Sequence, residues 1–78
     1  MTAIEFETSL RAFVQELVGD GVTIRRNTLL FENGIIDSMR VVDLIAFVES
    51  RLSVRIPDEK ITLEHFRSIE AIRRSFCR

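Results

Sequence analysis

The sequence predicts an all-α fold, a small four-helix bundle of three main helices and one short helix, with a long packed loop between the first and second. Three observations carry this. Apolar residues recur at three- and four-residue steps over the two longest patterned stretches, and helix-starting residues precede the expected helices. Nothing reads as a strand except Val54-Arg55-Ile56, which is too short to build a sheet alone. The 78 residues, 46% hydrophobic and 29% charged, give one domain over 1–78 with room for one core, and three glycines and one proline leave little material for flexible segments.

The first helix runs from Thr2, where Thr2 and Glu5 stand at capping-box spacing, through Ile4, Phe6, Leu10, Phe13, Val14, Leu17 and Val18. Gly19-Asp20-Gly21 ends it. In the connection over 22–37, Val22, Ile24, Leu29, Leu30, Phe31, Ile35 and Ile36 are too many apolar residues to leave in water, so it must pack on the bundle. Phe31 and Ile36 are its expected anchors, and Gly34 supplies a backbone conformation that a side chain would resist. The second helix is expected from about Ser38 to Leu52, capped by Asp37 or Ser38. Pro57 with Asp58-Glu59 predicts a short helical piece, its carboxylates at the N-terminal end where the dipole favours them. Ser68 caps a last helix carrying Ile69, Ile72 and Phe76.

At about 100° per residue, Val41, Leu44, Ile45, Val48 and Leu52 form the core stripe of the second helix. Met39, Val42 and Ala46, bordered by Asp43 and Glu49, fall on a separate stripe. That stripe is either a docking surface or the place where the connection folds over the helix. Phe47 is expected near the Arg40 side, packed against the last helix.

Eleven basic and twelve acidic residues nearly cancel, so no net field points to nucleic acid, and Arg25-Arg26 with Arg73-Arg74 are thin support for a DNA-binding module. Glu5 and Glu7 stand where a secretory signal needs a basic start, and LIAFV is far too short to span a bilayer, so a cytoplasmic protein with no membrane span is expected. One cysteine, Cys77, makes no internal disulfide, and His65 with Cys77 gives too few ligands for a structural zinc site. A serine hydrolase needs a base and an orienting group, and Ser38 lies in no G-x-S-x-G elbow. The glycines fit no phosphate-binding loop, so no enzyme is indicated. Ser38 does place a hydroxyl at a helix N-terminus, where free N–H groups and the dipole favour a phosphate.

LFENGIIDSM, followed by VVDLIAFVESRLSVRIPDEKIT and FRSIEAI, resembles the acyl and peptidyl carrier proteins over nearly the whole chain. Gly34, Asp37, Ser38 and Met39 match that family's G-x-x-D-S-[LM] attachment motif. The resemblance implies an acyl-carrier-protein-like bundle in which Ser38 receives 4′-phosphopantetheine from coenzyme A, through a separate Mg²⁺-dependent phosphopantetheinyl transferase. The thiol of that arm would hold an acyl or aminoacyl group as a thioester, loaded by a ligase and passed to acyl-transferring or condensing enzymes. It further implies a non-catalytic monomer, with Asp37 beside the attachment site and Met39, Val42, Asp43 and Ala46 on the partner-docking face. Fatty-acid carriers have a strongly acidic second helix, whereas Arg40 follows Ser38-Met39 here and the net charge is −1. This and the Ile-Ile-Asp-Ser-Met run favour a free-standing carrier in a specialised pathway. The competing expectation is a carrier-like interaction protein that never takes the arm.

Overall fold

Thr2 starts the first helix as its spacing with Glu5 predicts: the Thr2 hydroxyl accepts from the Glu5 N–H at 3.1 Å, and the Glu5 carboxylate accepts from the Thr2 N–H at 3.1 Å. The structure, a computed structural model, describes residues 2–77. Helix α1 spans Ala3–Val18 and turns Phe6, Leu10 and Val14 inward, one per turn. It stops at Gly19, whose φ of 80° suits a residue without Cβ. Gln15 then stitches the connection to the helix. Its amide donates to the carbonyls of Gly19 (2.8 Å) and Val22 (2.6 Å) and accepts from the Ile24 N–H (2.9 Å).

The connection does pack on the bundle, but through Ile24, Leu30 and Ile36, all buried. Ile36 is therefore an anchor as expected, while Phe31 is only half-buried and yields its place to Leu30. Hydrogen bonds decide which neighbour points inward: Leu30 N–H donates to the Arg67 carbonyl at 2.9 Å, and the Leu30 carbonyl accepts from Ile36 N–H at 2.9 Å. Irregular backbone has no period from which that choice could be read. Val22 and Leu29 are exposed.

Helix α2 spans Arg40–Leu52, later than the Ser38 start expected from its cap. Leu44 and Val48 are buried, with Val41, Ile45 and Leu52 half-buried along the edges of the same stripe. Ser53, in the left-handed region at φ 53°, ends the helix where no glycine is available. The piece after Pro57 is a single 3-10 turn, Asp58–Lys60, and the short α-helix comes later, as α3 over Leu63–Phe66. Thr62 caps α3, and the Ser68 hydroxyl accepts from the Ala71 N–H at 3.1 Å to start α4, Ile69–Phe76. Among the described residues there is no strand, Val54-Arg55-Ile56 included.

Helix α1 packs against α2 and α4, and α3 against α4. Phe6, Leu10, Leu30, Leu44, Val48, Phe66, Ile69 and Ile72 meet in one core. Fully burying such a side chain stabilises by roughly 1.5–3 kcal/mol. Phe47 departs from its expected place against the last helix. It stacks on Phe13 of α1, ring centroids 4.3 Å apart and planes 16° apart, with the Arg51 guanidinium 5.2 Å above it. The reason is that α2 lies on α1, so this flank of α2 meets α1. No helix among the described residues is long and apolar enough to cross a membrane.

Candidate functional site

Residues 30–37 make a closed knuckle that delivers Ser38 to the mouth of α2. Gly34 N–H donates to the Phe31 carbonyl at 3.0 Å and Ile36 N–H to the Leu30 carbonyl at 2.9 Å. Gly34 turns the chain at φ 71°, a conformation that an L side chain resists by about 1–2 kcal/mol.

Asp37 is the cap of α2. Its Oδ1 accepts from Met39 N–H (3.0 Å) and Arg40 N–H (2.9 Å), and its carbonyl accepts from Val41 N–H (3.0 Å). Of the two caps the sequence allowed, the shorter-reaching Ser38 is released and its side chain stands exposed. This also alters the expectation that free first-turn N–H groups favour a phosphate there, because Asp37 already occupies two of them. A group esterified to Ser38 would extend into solvent beside a carboxylate and Arg40, tethered rather than seated. An exposed primary hydroxyl, free of capping duty, suits covalent attachment.

The N–H of Arg40, and after it the N–H of Met39 and the charge of Arg40, hold the Asp37 carboxyl below the usual carboxylate range against desolvation. Hydrogen bonds to Thr2 lower Glu5, and the bonded Arg67 guanidinium lowers Glu32. All three groups titrate lower folded than unfolded, so the stability they contribute is fully present above their unfolded values of about 4 and is lost as pH falls through the lowered folded values. Thermal unfolding is expected to show Tm flat from neutrality to about pH 5 and declining toward pH 3; a Tm that rises on acidification would contradict these caps and pairs.

Met39 (81% exposed), Val42 (63%) and Ala46 stand in solvent, so the connection does not fold over them. Asp43 is exposed on the same side of α2. The sequence reading missed Ile61 and Leu63, also exposed, which border a recess of about 180 Å³ lined by Phe31, Val41, Ile61, Thr62, Leu63 and Phe66. Two large apolar residues around a helix-capping threonine were the available signal. Val41, on the wall of this recess, lies three residues after Ser38 in the chain.

The remaining chemical candidates are not assembled. Thr62 Oγ1 lies 2.7 Å from His65 Nδ1, Cys77 is buried, and no group of three or more metal-ligating side chains occurs among the described residues. Of the four arginines that could favour DNA, Arg26 bridges Glu7 (3.0 Å) and Glu70 (3.2 Å), Arg73 pairs with Glu7 (3.1 Å), and Arg74 with Glu70 (3.8 Å).

No protein-family model matches the chain, and no curated protein matches it. A chain in a solved structure titled "Crystal structure of FAD-dependent dehydrogenase" is similar: 30% identical, with a TM-score of 0.75, covering 83% of this chain and 94% of that one. The two chains belong to one family. The covered shares also make the matched chain similar to this one in length.

Proposed function

We propose that this protein is a phosphopantetheine-dependent carrier. Its exposed Ser38 takes the arm from coenzyme A, and the chain itself performs no catalysis. The observation that carries this reading is the division of labour between neighbours: Asp37 caps α2 through Met39 N–H and Arg40 N–H, leaving the Ser38 hydroxyl exposed at the end of a hydrogen-bonded knuckle. The bound arm would supply a thiol that carries cargo as a thioester and raises its effective concentration at a partner's active site. The chain's own part is to present Ser38 on a fixed turn and to offer Met39, Val42, Asp43 and Ala46 to the loading ligase and to downstream enzymes. Such exchange suits a small surface and modest affinity.

The dehydrogenase named in the similar structure's title fits this reading as a partner class. Among its described residues this chain has no strand, and so no sheet of the dinucleotide-binding kind. A thioester carbonyl acidifies its α-C–H. A partner's base would take that proton while hydride passes from the β-carbon to the partner's FAD, giving an α,β-unsaturated cargo, FADH⁻ and the protonated base. A free-standing carrier in a specialised pathway is consistent with that step.

Native thiol titration tests the carrier reading. The chain has one cysteine, and Cys77 is 7% exposed, so the untreated protein should react slowly. After incubation with coenzyme A, Mg²⁺ and a phosphopantetheinyl transferase, one fast-reacting thiol is expected; no new thiol on folded protein would leave an unmodified interaction module as the reading. Met39→Glu and Val42→Glu are each expected to weaken turnover by partner enzymes about tenfold with Tm within a few degrees of the parent, because both side chains are already in water. A large fall in Tm, or unchanged turnover, would remove these residues from the docking face.

A further inference from the structure

The knuckle before Ser38 is held from outside by one residue. Arg67, between α3 and α4, grips Glu32 with two parallel bonds, Nε to Oε1 at 3.0 Å and Nη2 to Oε2 at 2.8 Å. The same Arg67 accepts Leu30 N–H on its backbone carbonyl at 2.9 Å. Main chain and side chain of one residue thus fasten both the entrance and the crest of the 30–36 loop, which closes on itself through Ile36 and runs directly into Asp37 and Ser38. An exposed ion pair of this kind adds little to stability, yet a bidentate guanidinium–carboxylate pair fixes direction as well as distance. Leu30 and Ile36 already supply the burial that seats the loop.

We infer that Glu32 and Arg67 are positioning residues for Ser38: the pair orients the knuckle so that the phosphopantetheinyl transferase meets the serine in one fixed pose. The inference rests on the carrier reading and adds to it a second contact region, the loop crest, which the transferase needs in register with α2. The side chains of Arg67 and Glu32 are 55% and 34% exposed, so the pair is open to substitution without cutting into the core.

The test is steady-state transfer of phosphopantetheine from coenzyme A to the parent, Glu32→Gln, Arg67→Gln, and the charge-swapped double variant Glu32→Arg with Arg67→Glu. Each single variant is expected to raise KM for the carrier about two- to fivefold, with kcat and Tm nearly unchanged, and the swapped pair to recover most of the loss. Amide hydrogen exchange supplies an independent readout: Ile36 N–H should exchange faster in the single variants while Ile72 N–H keeps the parent rate. Single variants with parental KM and parental Ile36 exchange would overturn the positioning role while a loaded parent leaves the carrier reading standing. A folded parent that accepts no phosphopantetheine would overturn both.

Discussion

Ser38→Ala is expected to abolish phosphopantetheine loading while leaving the helical circular dichroism and the melting temperature close to the parent. The chemistry needs the hydroxyl, since the bond formed joins Ser38 Oγ to the pantetheine-bearing phosphorus of coenzyme A, and the diphosphate P–O bond that breaks releases adenosine 3′,5′-bisphosphate. The fold does not need it, because Asp37 makes the cap bonds to Met39 and Arg40 and the serine side chain is exposed. A surface substitution of this kind costs within about 0.5 kcal/mol. Loss of the α-helical signal in the variant would instead assign Ser38 a structural role and undo the division of labour on which the carrier reading stands.

Leu30→Ala is expected to produce the opposite pattern. Leu30 is fully buried, and truncating such a leucine removes its transfer free energy and leaves a cavity, about 2–5 kcal/mol. Against a total of roughly 5–15 kcal/mol this is a large fraction, and in a domain of this size it lowers Tm by roughly 10 °C or more. The adjacent Leu29→Ala, at a position 36% exposed, should fall within about 0.5 kcal/mol of the parent. Thermal and denaturant unfolding of the two variants checks the register of the whole connection: similar effects at 29 and 30, or a larger one at 29, would mean that the loop does not sit on the bundle through Leu30.

That pair of residues also marks where the sequence stops being legible. Helices α1 and α4 could be read because their periods and caps agree: Thr2 with Glu5 begins one and Ser68 begins the other. The two stripes of α2 follow from the same period, but the exposure of Met39, Val42 and Ala46 does not, because the period leaves open whether the connection folds over them. The connection has no period, so the choice of Leu30 over Phe31 rests on hydrogen bonds to Arg67 and Ile36, residues too far along the chain for a local pattern to place. Helix α3 is four residues long, too short to develop a repeat, and the short helical piece expected after Pro57 is instead the 3-10 turn that precedes it. Phe47 was misplaced because a helical wheel gives the direction of a side chain on its own helix and not the neighbour it will meet.

At the site, the Asp37-Ser38 pair was legible as a cap plus a hydroxyl, but which residue does which follows from geometry that two adjacent cap-forming residues leave undetermined. The recess beside Val41 and the Glu32–Arg67 pair were hidden for a different reason. Each joins segments separated by twenty or more residues, so that even the apolar pair Ile61 and Leu63 around Thr62 does not name its neighbours across the recess.

The measurement that bears most directly on the central claim is intact-protein mass, followed by peptide mapping, after incubation with coenzyme A, Mg²⁺ and a broad-specificity phosphopantetheinyl transferase. A carrier gains the mass of one phosphopantetheine, located on the peptide containing Ser38. An unchanged mass on folded protein, with the transferase active on a control carrier in the same tube, or a modification located anywhere other than Ser38, would contradict it.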